Sequence, residues 1–150
     1  MQIIYLLHVL GVVVWVGGMF FAYMALRPVA ASVLEPPQRL TLWAGVFGKF
    51  FPWVWVSVAL ILATGLHLLV VMGGANAPLY ALAMFALGVA MMAIFAHVFF
   101  APYGRLKRAV AAQDWKAGGA ALAQIRQLVG LNLSLGLLTI AVVFLGRLFA

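Results

Sequence analysis

Cysteine is absent from this chain, and acidic residues are scarce. The lack of cysteine excludes a disulfide, a thiolate metal site and a cysteine-bound cluster. The only two acidic residues, Glu35 and Asp114, both fall outside the long apolar segments. A carboxylate proton relay, a hydrolase site and a calcium or magnesium site are therefore not expected within those segments.

Charge of either sign is also scarce. Charged residues make up 7% of the 150 residues, whereas a soluble domain carries roughly a quarter. With 68% hydrophobic residues the chain cannot cover a water-facing surface, so we predict an integral membrane protein. The net charge of +7 does not indicate a nucleic-acid partner, because the basic residues lie between apolar segments and report membrane orientation instead.

Four apolar segments are long enough to cross a bilayer, which takes about 20 residues. They cover residues 3–26, 50–72, 79–101 and 128–149. The sequence therefore predicts an all-α protein: a single four-helix bundle in the membrane that spans residues 1–150.

The basic residues are unevenly distributed between the loops. Arg147 is the only one near the end of the chain, while the others follow the first or third segment. Under the positive-inside rule, this predicts a multi-pass membrane protein with both termini in the periplasm. The basic stretch 105–127 is interpreted as helical extensions, as an amphipathic helix at the inner surface, or as a solvated connector.

Two histidines lie inside apolar segments, where an imidazole is costly. At 1.5 Å per residue, His8 lies roughly 9 Å from the outer end of the first helix. His67 lies roughly 7–8 Å from the outer end of the second helix. Since these helices run in opposite directions, the two imidazoles are predicted to share one depth.

Helical spacing predicts which side chains face the interior. His8 and Trp15 share one face of the first helix, and Ser57, Thr64 and His67 share one face of the second, which we expect to look into the bundle. His97, near the inner end of the third helix, is expected to form a structural hydrogen bond, with Asn132 as a candidate partner, or to lie at the interface. It is the less favoured candidate ligand.

The histidine pair predicts a haem between facing helices, ligated by His8 and His67. Arg147 would pair with a propionate, or would simply extend to the interface as a helix-end arginine. Such a protein would pass electrons to or from a quinone or a periplasmic partner. A site for another metal, with Met72 and Met84 as soft ligands, and a cofactor-free structural subunit are the alternatives. Glycines along helices one and four leave room for a homodimer.

The stretch 8–20, HVLGVVVWVGGMF, resembles the first helix of the copper resistance D (CopD) family and of the related HemJ-type protoporphyrinogen oxidases, which bind haem b. The spacing of seven between His8 and Trp15 carries the likeness, and residues 97–108 resemble the third helix and its basic loop. The resemblance implies a protein of the bacterial inner membrane. It also implies haem b with His8 as a ligand and Trp15 beside it, or copper as the rival metal. Residues 80–85 lack the lysine of the HemJ-type enzymes, so a HemJ-like oxidase is a lesser alternative.

Overall fold

The apolar segments form helices because hydrocarbon offers no partner for a free backbone N–H or C=O group. The computed structural model describes residues 1–149, and within that range it contains helices and turns but no strand. The elements are α1 (Gln2–Phe21), a π-helical turn (Ala22–Leu26), α2 (Arg27–Val33), α3 (Pro36–Val71), a short 3-10 turn (Gly74–Asn76), α4 (Leu79–Phe100), α5 (Pro102–Ala111) and α6 (Trp115–Leu148).

These elements make four rods that are long and apolar enough to cross a membrane: Gln2–Val33, Pro36–Val71, Leu79–Ala111 and Trp115–Leu148. The predicted all-α four-helix membrane architecture is confirmed. The helices extend beyond the predicted apolar segments, since the second rod begins at Pro36 and the fourth at Trp115. The 36 residues of α3 extend for about 54 Å. Since the hydrocarbon core is about 30 Å thick, the rods continue well beyond it.

The basic stretch 105–127 is helical in the structure, apart from a short turn before Trp115. Its apolar side chains pack inward: Leu106 is 0% exposed and Ile125 1% exposed. Asp114 accepts a hydrogen bond from the Ala117 N–H, 3.1 Å away, and so caps the start of α6. The interpretation as helical extensions is confirmed, and the solvated connector is wrong.

Pro28 does not end the first rod. A proline lacks an N–H and its ring clashes with the carbonyl four residues earlier, which ordinarily kinks a helix. Here the π-turn Ala22–Leu26 comes directly before Arg27 and Pro28. The wider turn loosens the backbone where the clash would occur, so the rod continues as α2 up to Val33.

Three helix pairs, α1 with α3, α4 with α6 and α5 with α6, pack most extensively. The core between them is aromatic. The Phe47 and Phe51 rings stack with centroids 4.9 Å apart, and the Trp15 ring meets Phe95 edge to face at 6.1 Å. Trp43 is 5% exposed and also belongs to this core. Trp53 is 63% exposed, as an interfacial anchor should be.

The α1–α3 contact depends on the missing side chain of Gly11. A Cβ there would lie 2.9 Å from Ile61 Cγ1 and 3.3 Å from the Ser57 carbonyl oxygen. We expect Gly11→Ala to lower the free energy of unfolding by about 1–3 kcal/mol, because the two backbones must separate. The measurement is unfolding of the purified protein in detergent.

Gly17→Ala is the matched control on the same helix. A Cβ at residue 17 meets no described atom within 4 Å, so this change should be neutral or should stabilise by up to about 1 kcal/mol through helix propensity. Equal stability of the two variants would contradict the close contact at Gly11.

Candidate functional site

His8 lies half-buried in the seam between α1 and α3. Its Nδ1 is 2.8 Å from the Thr64 hydroxyl oxygen. That hydroxyl is itself 2.5 Å from the Leu60 carbonyl oxygen, one turn earlier on α3. The three groups form a short chain that leads from the imidazole to the α3 backbone.

This chain fixes the tautomer of His8. A threonine hydroxyl has a single hydrogen, and it is donated to the Leu60 carbonyl. The Thr64 oxygen can therefore only accept from His8, so Nδ1 carries the proton and donates it. In the neutral imidazole, Nε2 then keeps its lone pair. Histidines that bind metals are oriented in this way by a hydrogen bond from the other ring nitrogen.

Gly65 on α3 lies against the imidazole ring of His8. A Cβ at residue 65 would lie 3.3 Å from His8 Cε1 and 3.8 Å from Nδ1. The glycine thus allows the ring to approach α3 closely enough to bond to Thr64. With Gly11 in contact with α3 one turn further in, the two helices touch at this level and leave no gap the thickness of a porphyrin between them.

His67 lies on α3 one turn beyond Thr64, about 4.5 Å further along the axis. Its depth is therefore close to that of His8, as the spacing predicts. Its facing differs from the prediction, because Ser57 and Thr64 are buried at 2% and 8% exposure whereas His67 is exposed. Ser57 and Thr64 are seven residues apart, so they lie on the same side of α3. His67 follows Thr64 by only three residues and is therefore rotated away from the α1 contact.

His97 and Asn132 do not pair. His97 is exposed in the last turn of α4, which agrees with the interfacial interpretation. Asn132 is 3% exposed, and its Nδ2 donates to the Met91 carbonyl at 3.2 Å. The predicted hydrogen bond between His97 and Asn132 is therefore wrong. The Oδ1 atom of Asn132 is buried without a partner among the described residues.

The other two candidates are Trp15 and Arg147. Trp15 follows it by seven residues, about 10 Å along the helix, and is 2% exposed within the aromatic core. Arg147 is exposed in the last turn of α6. Residues 1–149 contain no group of three His, Cys, Asp or Glu side chains able to hold a metal ion together.

Sequence reasoning missed the partners that orient His8. Thr64 was recognised as an interior residue but not as the acceptor for the imidazole, and Gly65 was not singled out. A signal was present: an intramembrane histidine must find a hydrogen-bond partner, and a threonine followed by a glycine offers both an oxygen and room for the ring.

Comparison with known families identifies a match. The family model described as copper resistance protein D matches residues 44–145, which is more than half of the chain. The chain belongs to the copper resistance protein D family. The matched range includes His67 and His97 but begins after His8, so the place of His8 depends on the structure rather than on the match. No curated protein and no solved structure matches the chain.

The tautomer of His8 can be tested directly. Nitrogen NMR of the protein labelled in histidine should show a neutral imidazole protonated at Nδ1, with the signal identified by its loss in His8→Ala. Thr64→Val removes the acceptor and should abolish that preference, whereas Thr64→Ser retains the hydroxyl and should preserve it. An imidazole protonated at Nε2 in the unaltered protein would show that the hydrogen-bond chain runs the other way.

Proposed function

We propose that this protein handles copper as cargo in the membrane and that His8 presents Nε2 to the ion. Membership of the copper resistance protein D family supports copper, and imidazole nitrogen is a suitable ligand for it. The orientation of His8 by Thr64 is the observation that carries the proposal. It leaves a lone pair available on a ring that is already held in place, so little conformational freedom is lost on binding.

The second ligand would come from the same end of the bundle. His67 lies one turn from Thr64 and is exposed, so its ring is free to rotate toward an ion at the edge of the α1–α3 seam. Met72 follows five residues later and offers a soft thioether. A small set of ligands of this kind suits an ion that must leave again, whereas a closed cage would retain it.

The test is a copper(I) competition titration of the full-length protein in detergent against a coloured chelator. We expect His8→Ala to weaken binding at least about tenfold, since even the loss of an orienting partner typically weakens metal sites by about 10- to 100-fold. Thr64→Val should fall within that same range, with Thr64→Ser close to the unaltered protein. His67→Ala should weaken binding as well.

His97→Ala is the matched control, because it removes an exposed imidazole at the far end of α4. It should leave the affinity unchanged. If His8→Ala binds copper as tightly as the unaltered protein, His8 is not a ligand and this copper site is wrong.

A haem b protein that transfers electrons to a quinone or a periplasmic partner is the second candidate. The orientation of His8 suits an axial ligand equally well. The closed α1–α3 seam does not accept a porphyrin between His8 and α3, so this candidate requires the haem to lie outside the seam. The absorption spectrum of the purified protein decides: a Soret band that disappears in His8→Ala would replace copper with haem.

We also propose that both termini and the His8 end of the bundle face the periplasm. Eight of the nine basic residues lie toward the other end, in or beside the two connections, namely Arg27, Arg39, Lys49, Arg105, Lys107, Arg108, Lys116 and Arg126. Such residues stay on the cytoplasmic side during insertion. A C-terminal reporter that is active only in the periplasm should therefore be active, and a cytoplasmic reporter at the same position inactive. The reverse result would place His8 near the cytoplasmic face.

A further inference from the structure

A cavity of about 290 Å³ opens at the basic end of the bundle, away from His8. It lies between the end of the first rod, the first turns of α3 and the first turns of α6. Nothing in the copper proposal uses it. Its walls combine aromatic side chains with three arginines, which is an unusual lining in a chain with so few charges.

The three arginines are Arg27, Arg39 and Arg126. The Arg27 side chain donates through Nε to the Tyr23 carbonyl at 3.3 Å and lies over the Tyr23 ring, 4.2 Å from its centre. The Arg39 guanidinium donates to the Ala31 carbonyl at 3.4 Å. Each guanidinium has five N–H donors, so these contacts position the side chains and leave most donors unused.

Among residues 1–149, no carboxylate lines the cavity beside these arginines. The two carboxylates are Glu35 and Asp114, and neither lines the cavity. Asp114 already accepts from the Ala117 N–H as the cap of α6. Three guanidinium groups around one cavity repel one another unless an anion lies between them, and guanidinium groups match phosphate oxygens in charge and geometry.

The rest of the lining is apolar. It includes Trp43 and Phe47 on α3 and Trp115, Leu122 and Val129 on α6. An inorganic anion alone would leave this wall in contact with water. A ligand with both an anionic group and an apolar body would cover the wall and pair with the arginines.

The depth of Arg27 and Arg126 fits the headgroup layer. If the hydrocarbon core takes about 20 residues from the outer ends of the rods, it extends to about Phe21 on α1 and Val129 on α6. Arg27 then lies about 9 Å and Arg126 about 4–5 Å beyond the core along the axis. On α3 the same count reaches Pro52, so Arg39 lies about 20 Å beyond the core, deeper in the cavity. Basic pockets between helices on the cytoplasmic side are where anionic lipid headgroups bind.

We propose that this cavity binds one anionic phospholipid, with its phosphate between Arg27 and Arg126. Its glycerol and upper acyl carbons would pack on Phe47 and Val129, the wall residues nearest the hydrocarbon core. The lipid would contact α3, α6 and the first rod, which ends here in the short helix α2. It would therefore stabilise the part of the bundle that projects beyond the hydrocarbon core.

The test measures phosphatidylglycerol binding to the full-length protein in nonionic detergent by native mass spectrometry. The double variant Arg27→Gln/Arg126→Gln should weaken binding by about 25-fold, because one basic residue near an anionic headgroup contributes about a fivefold factor. The control Arg108→Gln/Lys116→Gln removes the same charge at exposed positions outside the cavity and should change binding less than about threefold.

A second variant tests the cavity without changing the charge. Gly119 lines the cavity, and a Cβ there meets no described atom within 4 Å, so Gly119→Leu should fill the space while leaving the helix intact. We expect it to weaken phosphatidylglycerol binding at least tenfold. Gly88→Leu on α4, which is equally free of contacts and outside the cavity, is the control and should bind normally.

Each remaining outcome overturns the proposal. Equal losses in the two double variants would show a diffuse attraction between charges in place of a site. Equally tight binding of phosphatidylcholine would show that the negative charge is not recognised. Inorganic phosphate that binds as tightly as the lipid, with Gly119→Leu unaffected, would indicate a site for free phosphate. Normal lipid binding by Gly119→Leu would place the lipid elsewhere.

Discussion

Hydrocarbon provides no hydrogen-bond partners, and this constraint governs both the rods and the polar side chains between them. Backbone groups meet it by forming helices. Thr64, Ser134 and Thr139 meet it by donating to a carbonyl four residues earlier on the same helix. His8 does not bond to a carbonyl of its own helix and bonds instead to Thr64 on α3. The Thr64 hydroxyl already donates its hydrogen to the Leu60 carbonyl. The requirement that packs the bundle therefore also selects the imidazole tautomer.

Glycine makes this crossing feasible. Two glycines on opposite helices, Gly11 on α1 and Gly65 on α3, bring the seam together near His8. Membrane helices lack a hydrophobic driving force toward one another, so close approach at small residues is a major source of their affinity. At this seam the same residues hold the helices together and hold the candidate ligand in place, which ties metal chemistry to helix packing.

The sequence was sufficient for the class, the four spans and the depth of the histidines, because these depend on hydrophobic length and on a fixed rise per residue. It was insufficient for helix ends and for facing. Pro36 and Trp115 begin helices far outside the apolar runs, since tertiary packing of residues such as Leu106 and Ile125 stabilises helix beyond the membrane. The predicted facing of His67 was wrong. His67 follows Thr64 by three residues, and Thr64 follows Ser57 by seven. This spacing fits a position on the contact face, but it also fits a position beside that face.

The π-turn at Ala22–Leu26 has a consequence for how the first rod is compared with other sequences. A π-turn accommodates one residue more than the α-helix would, so every residue after it is rotated by about 100° relative to an uninterrupted helix. The register of α1 therefore does not carry through to α2, and an alignment without a gap across this turn would match the wrong faces. Deletion of a single residue there would restore the register and swing Arg27 to a different side of the rod. The length of this short segment, more than its composition, determines which way the first basic residue points.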